Sequence, residues 1–400
     1  MITGVRGTEA LLAANLMPDI DRKLLMIDAY QYPLSSWLFL SKKKSKVVKN
    51  AYAKFEHFER EALPHLLTVD VAITASTTLT LTTTNITSNL GALNLNDIVQ
   101  IEETGEMAYC SSVTGGGGSD KILTEIAGGS LTSVSAGTNI RIIGNLNYEY
   151  GARQSAKTVQ EVNYYNYLNI FKYNIVTSGR QEAGEYYTDG MTHDELVEQR
   201  LKEARGEVER YFWFAPSRGY KTSGNERATY GYGIEPRITT NVSPYTGALT
   251  EAQLRAHLKK VFRKTGTIGS NRKIHFCGEN QMEDIEKFIN DKYELRQSPG
   301  DANAVFKEIG AEAKSFRMFS GVVTFVWNPI FDGKYVDYGF TIDEESVMLR
   351  HMNNDKKGSR KFRMRETTPD SYDGTETELL FDVGIDLYGE MFNGKLYKSA

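Results

Sequence analysis

The chain has 400 residues, 40% of them hydrophobic, enough to bury a sizeable core spread over two or three structural units. A formal net charge of -4 excludes a chain built as a whole to grip nucleic acid, and two distant cysteines, Cys110 and Cys277, exclude a disulfide framework or a thiolate metal site. The N-terminal residues lack the apolar core of a signal peptide, and no window approaches the ~18 consecutive apolar residues of a membrane span. The sequence therefore predicts a soluble, intracellularly made chain with no membrane partner.

Residues 1–50 read as an arm. Gly4, Gly7 and small residues up to Asn15 predict a mobile start, and a short amphipathic helix follows Pro18-Asp19, with Ile20, Leu24, Leu25 and Ile27 on its apolar face. Tyr32-Pro33-Leu34 is expected to break that helix. Trp37-Leu38-Phe39-Leu40 reads as an exposed apolar patch beside Lys42, Lys43, Lys44, Lys46 and Lys49. Such a basic run is ordinarily a solvated loop, with a phosphate-facing or acid-facing patch as the alternative. An exposed apolar arm on a soluble chain docks on a neighbour more readily than it hangs free.

From Thr68 to Gly144 the composition turns to Thr, Ser, Gly and β-branched residues, and no proline occurs between Pro64 and Pro216. Alternating runs recur at Thr78–Leu81, Ile98–Ile101, Ala108–Val113, Lys121–Ile126 and Asn139–Ile143, with turn clusters between them. That spacing predicts a small antiparallel barrel or sandwich inserted in the chain. The four glycines at 115–118 lack a following Gly-Lys-Ser/Thr and read as a hairpin tip.

Asn147 to Phe214 is an aromatic-rich extended segment running into one long helix. Between Val159 and Thr177 apolar residues occupy both parities, which predicts a strand covered on each face. Thr192 and Glu195 form a capping box, and Val197, Leu201, Ala204, Val208 and Tyr211 make one apolar stripe. Glu198, Arg200, Lys202, Glu203, Arg205, Glu209 and Arg210 are expected on the solvated face, and Pro216 stops the helix. Beyond it, Ser217–Gly233 reads as a loop, Leu249–Lys264 and Met282–Ile289 as helices, and Lys273–Cys277, Phe319–Trp327, Tyr338–Ile342 and Ser346–Leu349 as strands. Thr377–Phe392 reads as a long strand with Leu379, Phe381, Val383, Ile385 and Leu387 on one face. Irregular mixing of strands and helices gives an α+β class.

No familiar catalytic spacing is present: no His-Glu-x-x-His, no Cys-x-x-Cys, no phosphate loop and no nucleophile elbow. The six histidines are scattered, and the acidic pairs Glu344-Glu345 and Glu376/Glu378 are what abundant glutamates produce by chance. Asp370 to Gly374 lacks the ligand ladder of a calcium loop. The expectation is no catalysis, no cofactor and no metal.

Asn166-Tyr167-Leu168-Asn169-Ile170-Phe171, continuing through Val176-Thr177-Ser178-Gly179-Arg180-Gln181, resembles a segment of the major capsid proteins of tailed bacteriophages, of the fold named for phage HK-ninety-seven. Ala29 to Leu40, with Pro33-Leu34, resembles the family's approach to its extended loop. The resemblance implies an N-terminal arm (1–50), an extended loop (51–190) carrying an inserted β-module (68–144), and a spine helix opening the peripheral domain (191–235). A mainly axial domain (236–345) and return strands to the peripheral and axial core (346–400) complete it. It also implies a subunit that self-assembles through pentamers and hexamers into an icosahedral shell around double-stranded DNA. The expected partners are many copies of itself, a portal, scaffold or decoration proteins, and DNA held by weak non-specific contact. The place implied is the virion, after assembly in the cytoplasm of a host bacterium. Interfaces are rich in aromatic residues, so Trp37, Phe39, Tyr164, Tyr165, Tyr167, Phe171 and Tyr173 are the expected inter-subunit contacts. The competing reading is a β-rich virion protein that binds a receptor or glycan through the 68–144 module.

Overall fold

A computed structural model describes residues 32–399 apart from 75–76, 87–89, 115–119, 152–155, 185–191, 264–268, 293–312, 319, 355–357 and 369–372. For 42, 289–292, 313–318 and 354 it describes the backbone alone. The helix expected over Ile20–Ile27 and the glycine tip at 115–118 lie outside the described residues. Phe58–Asn163 forms one compact unit and the rest of the described chain the other.

The described chain opens with α1 (Pro33–Leu40), a turn of three lysines and β1 (Ser45–Val48). Pro33 starts α1, because at the first helical position its missing N–H is no loss and its fixed φ suits the helix; the helix that it is expected to end lies outside the described residues. The stretch Trp37–Leu40 corrects an expectation. Leu34 and Leu38 are fully buried and Trp37 is 4% exposed, because α1 packs against the long helix; only Leu40 stands open to solvent. β2 (Lys54–Glu59) then leads toward the second unit.

That unit is built from β3 (Leu66–Thr68), β4 (Thr78–Leu81), β5 (Asp97–Ile101), β6 (Met107–Thr114), β7 (Asp120–Glu125) and β8 (Asn139–Asn145). They form one antiparallel sheet in the order β3-β8-β5-β6-β7-β4. Alternation along each strand sends Leu79, Leu81, Val99, Ile101, Ala108, Cys110, Leu123 and Ile140 into a single core. Glu103 and Glu106 hold the 132–138 loop by accepting from backbone N–H and hydroxyl groups of Ser135 and Thr132. Those bonds keep both carboxyls below the usual carboxylate range.

The returning chain forms β9 (Val162–Tyr167), paired with β2, then β10 (Asn169–Ser178), the short α2 (Gly179–Glu182) and α3 (His193–Phe214). At the start of α3 the Thr192 N–H and hydroxyl donate to Glu195 at 3.1 and 2.6 Å. Ala204 and Val208 are buried as the stripe predicts, with Val197, Leu201 and Tyr211 packed beside them. Glu209, expected on the solvated face, is fully buried. α1 lies along that flank, so a second stripe of Gly206, Glu209 and Trp213 is covered as well.

Next come β11 (Gly219–Ser223) and β12 (Glu226–Tyr230), a hairpin where a loop is expected. Gly224-Asn225 is the two-residue turn that makes it, with Gly224 at φ 57°. The remaining elements are β13 (Val242–Tyr245), α4 (Glu251–Arg263), β14 (Arg272–Cys277), α5 (Glu279–Lys292), β15 (Ala313–Met318), β16 (Gly321–Trp327) and β17 (Tyr338–Asp343). They are followed by β18 (Val347–Asn354), β19 (Gly358–Ser359), β20 (Arg363–Thr367), β21 (Gly374–Leu387) and β22 (Gly394–Lys398). Two sheets result, one ordered β1-β18-β21-β10 with β20 also on β21, the other β13-β22-β17-β14-β16-β15.

β21 stops at Leu387, short of the expected Phe392, where Gly389 turns the chain at φ 57°. Its odd-numbered residues from Leu379 to Leu387 form the floor on which α3 lies. The end of α3 joins the two sheets. Trp213 is fully buried, with its ring 5.1 Å from Phe276, 4.9 Å from Phe331 and 5.2 Å from Phe340. β10 does not have the two covered faces expected of it. Phe171, Tyr173 and Ile175 pack inward, while Ile170 and Val176 are 42% and 50% exposed on the other face, beside exposed Lys172 and Asn174. Only one parity of β10 reaches the core, because α3 covers only one side of its sheet.

Candidate functional site

The aromatic residues singled out in the sequence fall into two groups. Trp37, Phe39, Phe171 and Tyr173 pack on or beside α3 and β21. Trp37 lies under the Lys44 ammonium at 4.8 Å, and Phe39 meets Phe381 edge-on at 6.2 Å. Phe171 meets Tyr211 at 5.2 Å. The Tyr173 hydroxyl donates to Glu207 at 2.7 Å, and burial with that bond raises its pKa well above the ordinary value. Trp37 and Tyr173 are nearly covered by their own chain, whereas Phe39 and Phe171 are half-buried.

Tyr164, Tyr165 and Tyr167 form the second group, on β9. Here the structure adds residues that the sequence did not single out. The Arg237 guanidinium lies 3.9 Å over Tyr164. The Tyr165 ring has Arg218 at 3.8 Å and the Lys54 ammonium at 4.4 Å. Arg227 sits 3.5 Å over Tyr220, 4.9 Å from Tyr52 and 5.9 Å from Tyr167. Tyr167 is buried, Tyr164 and Tyr165 are half-buried, and Tyr52 and Tyr220 are open. No carboxylate among the described residues reaches salt-bridge distance of Arg218 or Arg227, so these cations rest on π faces and backbone. The signal for this cluster was the spacing of Arg and Tyr through 218–237, which reads as loop composition until the hairpin assembles it.

Beside it lies a small cleft lined by His57, Tyr164, Asn166, Arg218, Arg237 and Asp386. Asp386 is buried and accepts from Arg350 at 2.7 Å, with His57 at 3.0 Å. Burial alone would raise its pKa, and His57 with Arg350 outweighs that and holds the carboxyl below the usual range.

Two buried polar networks complete the inventory. Lys273 pairs with Asp343 at 2.7 Å across β14 and β17, with Asp343 also accepting from the Ser270 and Glu345 N–H groups. In the other network, Gln281 donates through Nε2 to the Leu396 carbonyl, so its Oε1 accepts from His275 Nε2–H at 3.0 Å. His275 Nδ1 then accepts from Thr341 at 2.7 Å, Thr341 accepts from His257 Nε2–H at 3.0 Å, and Ser243 donates to His257 Nδ1 at 3.1 Å. Every polar atom has a partner and each ring a defined tautomer. Burial depresses the pKa of His257 to about 3 and of His275 to about 4, so both are neutral near pH 7. These arrangements hold strands together and present no nucleophile to solvent. Among the described residues no three His, Cys, Asp or Glu side chains converge on a metal position, and no helix is long and apolar enough to cross a membrane.

Comparison with known proteins gives a family match over nearly the whole length. A family model described as SU10 major capsid protein matches residues 3–396. No curated protein matches the chain. Among solved structures, the capsid of an empty GTA particle is similar over 98% of both chains, at 8% identity and a TM-score of 0.47. The capsid of cyanophage P-SCSP1u is similar over 64% of this chain and 81% of that one, at 10% identity and a TM-score of 0.39. The SrpI encapsulin of Synechococcus elongatus PCC 7942 is similar over 60% of this chain and 77% of that one, at 9% identity and 0.39.

Proposed function

The chain belongs to the SU10 major capsid protein family, and from that premise we propose how its parts serve a shell. As a major capsid protein it is a structural component of the virion, and many copies of it build the head. The observation that carries this is the family match across residues 3–396, which takes in the β-module along with the rest and so leaves the receptor-binding reading without support of its own.

We propose that copies group as pentamers and hexamers into an icosahedral head around double-stranded DNA. α3 acts as the spine, and residues 1–50 with the 51–190 loop overlap neighbouring copies. The half-buried Phe39, Tyr164, Tyr165 and Phe171 offer surface to those neighbours, while Trp37, Tyr167 and Tyr173 fix them from behind. The mild net charge of -4 suits a container that touches DNA weakly. Portal and scaffold or decoration proteins join the assembly in the cytoplasm of a host bacterium, and no catalysis is involved. Electron microscopy of the purified chain tests this reading. Uniform shells or capsomer rings are expected; a discrete monomer or trimer at high concentration overturns it.

A further inference from the structure

Arg227 is an unusual cation. Its guanidinium is flanked by three tyrosine rings, and no carboxylate among the described residues balances it. Its Nε is buried with no hydrogen-bond partner among those residues. A guanidinium held in a fixed plane is pre-organised to bind a carboxylate through its remaining donors. Two of the three rings stay open, Tyr52 at 63% and Tyr220 at 52% exposed, while Tyr167 backs them from the core. Arginine and tyrosine in such a setting are the residue types that dominate binding hot spots.

The same sequence carries a matching element. Tyr148-Glu149-Tyr150 places one acid between two aromatic side chains that are 72% and 100% exposed, and Glu149 is itself exposed. Exposed tyrosines on both sides of an acid are the complement of an arginine framed by exposed tyrosines. We infer that the Arg227 surface of one copy receives the Tyr148-Glu149-Tyr150 segment of a second copy, with the carboxylate of Glu149 on the guanidinium and the rings stacked around the pair. This rests on the reading of the chain as a self-assembling shell subunit and adds the residues of one contact to it. It is a desolvated, charge-assisted contact, and its specificity comes from both the sign of the charge and the ring geometry.

The test is a charge exchange followed by particle imaging. R227E and E149R are each expected to lower the yield of shells by about tenfold or more, with the unassembled subunit still unfolding in one cooperative transition. The double variant R227E/E149R is expected to recover shells. A second measurement does not depend on charge: a chain carrying both Tyr220→Cys and Glu149→Cys, oxidised in assembled particles, is expected to give covalently linked multimers on a non-reducing gel. The native Cys110 and Cys277 are buried and do not contribute. Normal shells from both single variants, or a double variant that stays unassembled together with no linked multimers, overturn the proposal alone. Normal shells from R227E that fail only to retain a DNA duplex assign the site to phosphate and overturn it too. Absence of shells from the unsubstituted chain overturns the assembly reading, and this contact with it.

Discussion

Glu209 brings a carboxylate into a fully buried position and surrounds it with donors. It accepts from the Leu34 N–H at 3.2 Å, the Ser35 N–H at 2.5 Å, Trp213 Nε1 at 3.0 Å and Asn328 Nδ2 at 3.2 Å. Burial raises its pKa, and these bonds work against that rise. The carboxylate thus caps α1, braces the α3 tryptophan and holds the turn after β16. Glu209→Ala leaves several buried donors unpaired, and a loss of about 3 kcal/mol is expected in denaturant unfolding of the unassembled subunit. The paired histidines give a second prediction. Unfolded histidine takes up its proton near pH 6.5, while His257 and His275 resist it down to about 3 and about 4. In the window between, the unfolded chain binds more protons, so stability is complete above pH ~6.5 and is lost as pH falls. Roughly 2 kcal/mol per histidine is expected to be gone by about pH 4.5. Unfolding curves at the two pH values check this, and a His257→Asn/His275→Asn chain should lose most of the dependence.

The packing of α1 on α3 depends on a small residue. A Cβ at Gly206 would meet the Tyr32 ring at 3.0 Å, so the ring must shift even for alanine, and a branched side chain displaces it outright. Gly206→Leu is expected to loosen the α1 end of the chain, read as faster proteolysis within residues 32–41; cleavage at the native rate would contradict the contact. Elements differ in how well the sequence announces them. α3, the five expected strands of the β-module and the inward parity of β21 were legible because each is a periodic pattern facing one core. Glu209 was misassigned because a one-helix pattern cannot show that a second helix covers the next stripe. The β11–β12 hairpin had its signal in Gly224-Asn225, hidden among turn-forming neighbours. The Arg227 cluster shows in the sequence only as Arg and Tyr spaced through 218–237, because two of its three rings come from the distant positions 52 and 167.

For the molecule as a whole, the place to cut the arm follows from burial. Leu34, Trp37 and Leu38 belong to the main core, so removal of residues 1–40 would damage the subunit itself. Deletion of 1–31 alone is expected to leave the subunit's melting temperature unchanged while preventing closed particles, as measured by calorimetry and imaging. Normal shells from that truncation would take the arm out of assembly. β2 and β9 matter at this scale for another reason. Where the chain departs and where it comes back are neighbouring strands of one ladder, so the two ends of the excursion are already held together. Lengthening a loop whose ends are fixed adds only about 0.6 kcal/mol for each doubling. That ladder therefore acts as a socket: evolution or an engineer can exchange the cargo plugged into it, large or small, at almost no thermodynamic penalty to the host scaffold.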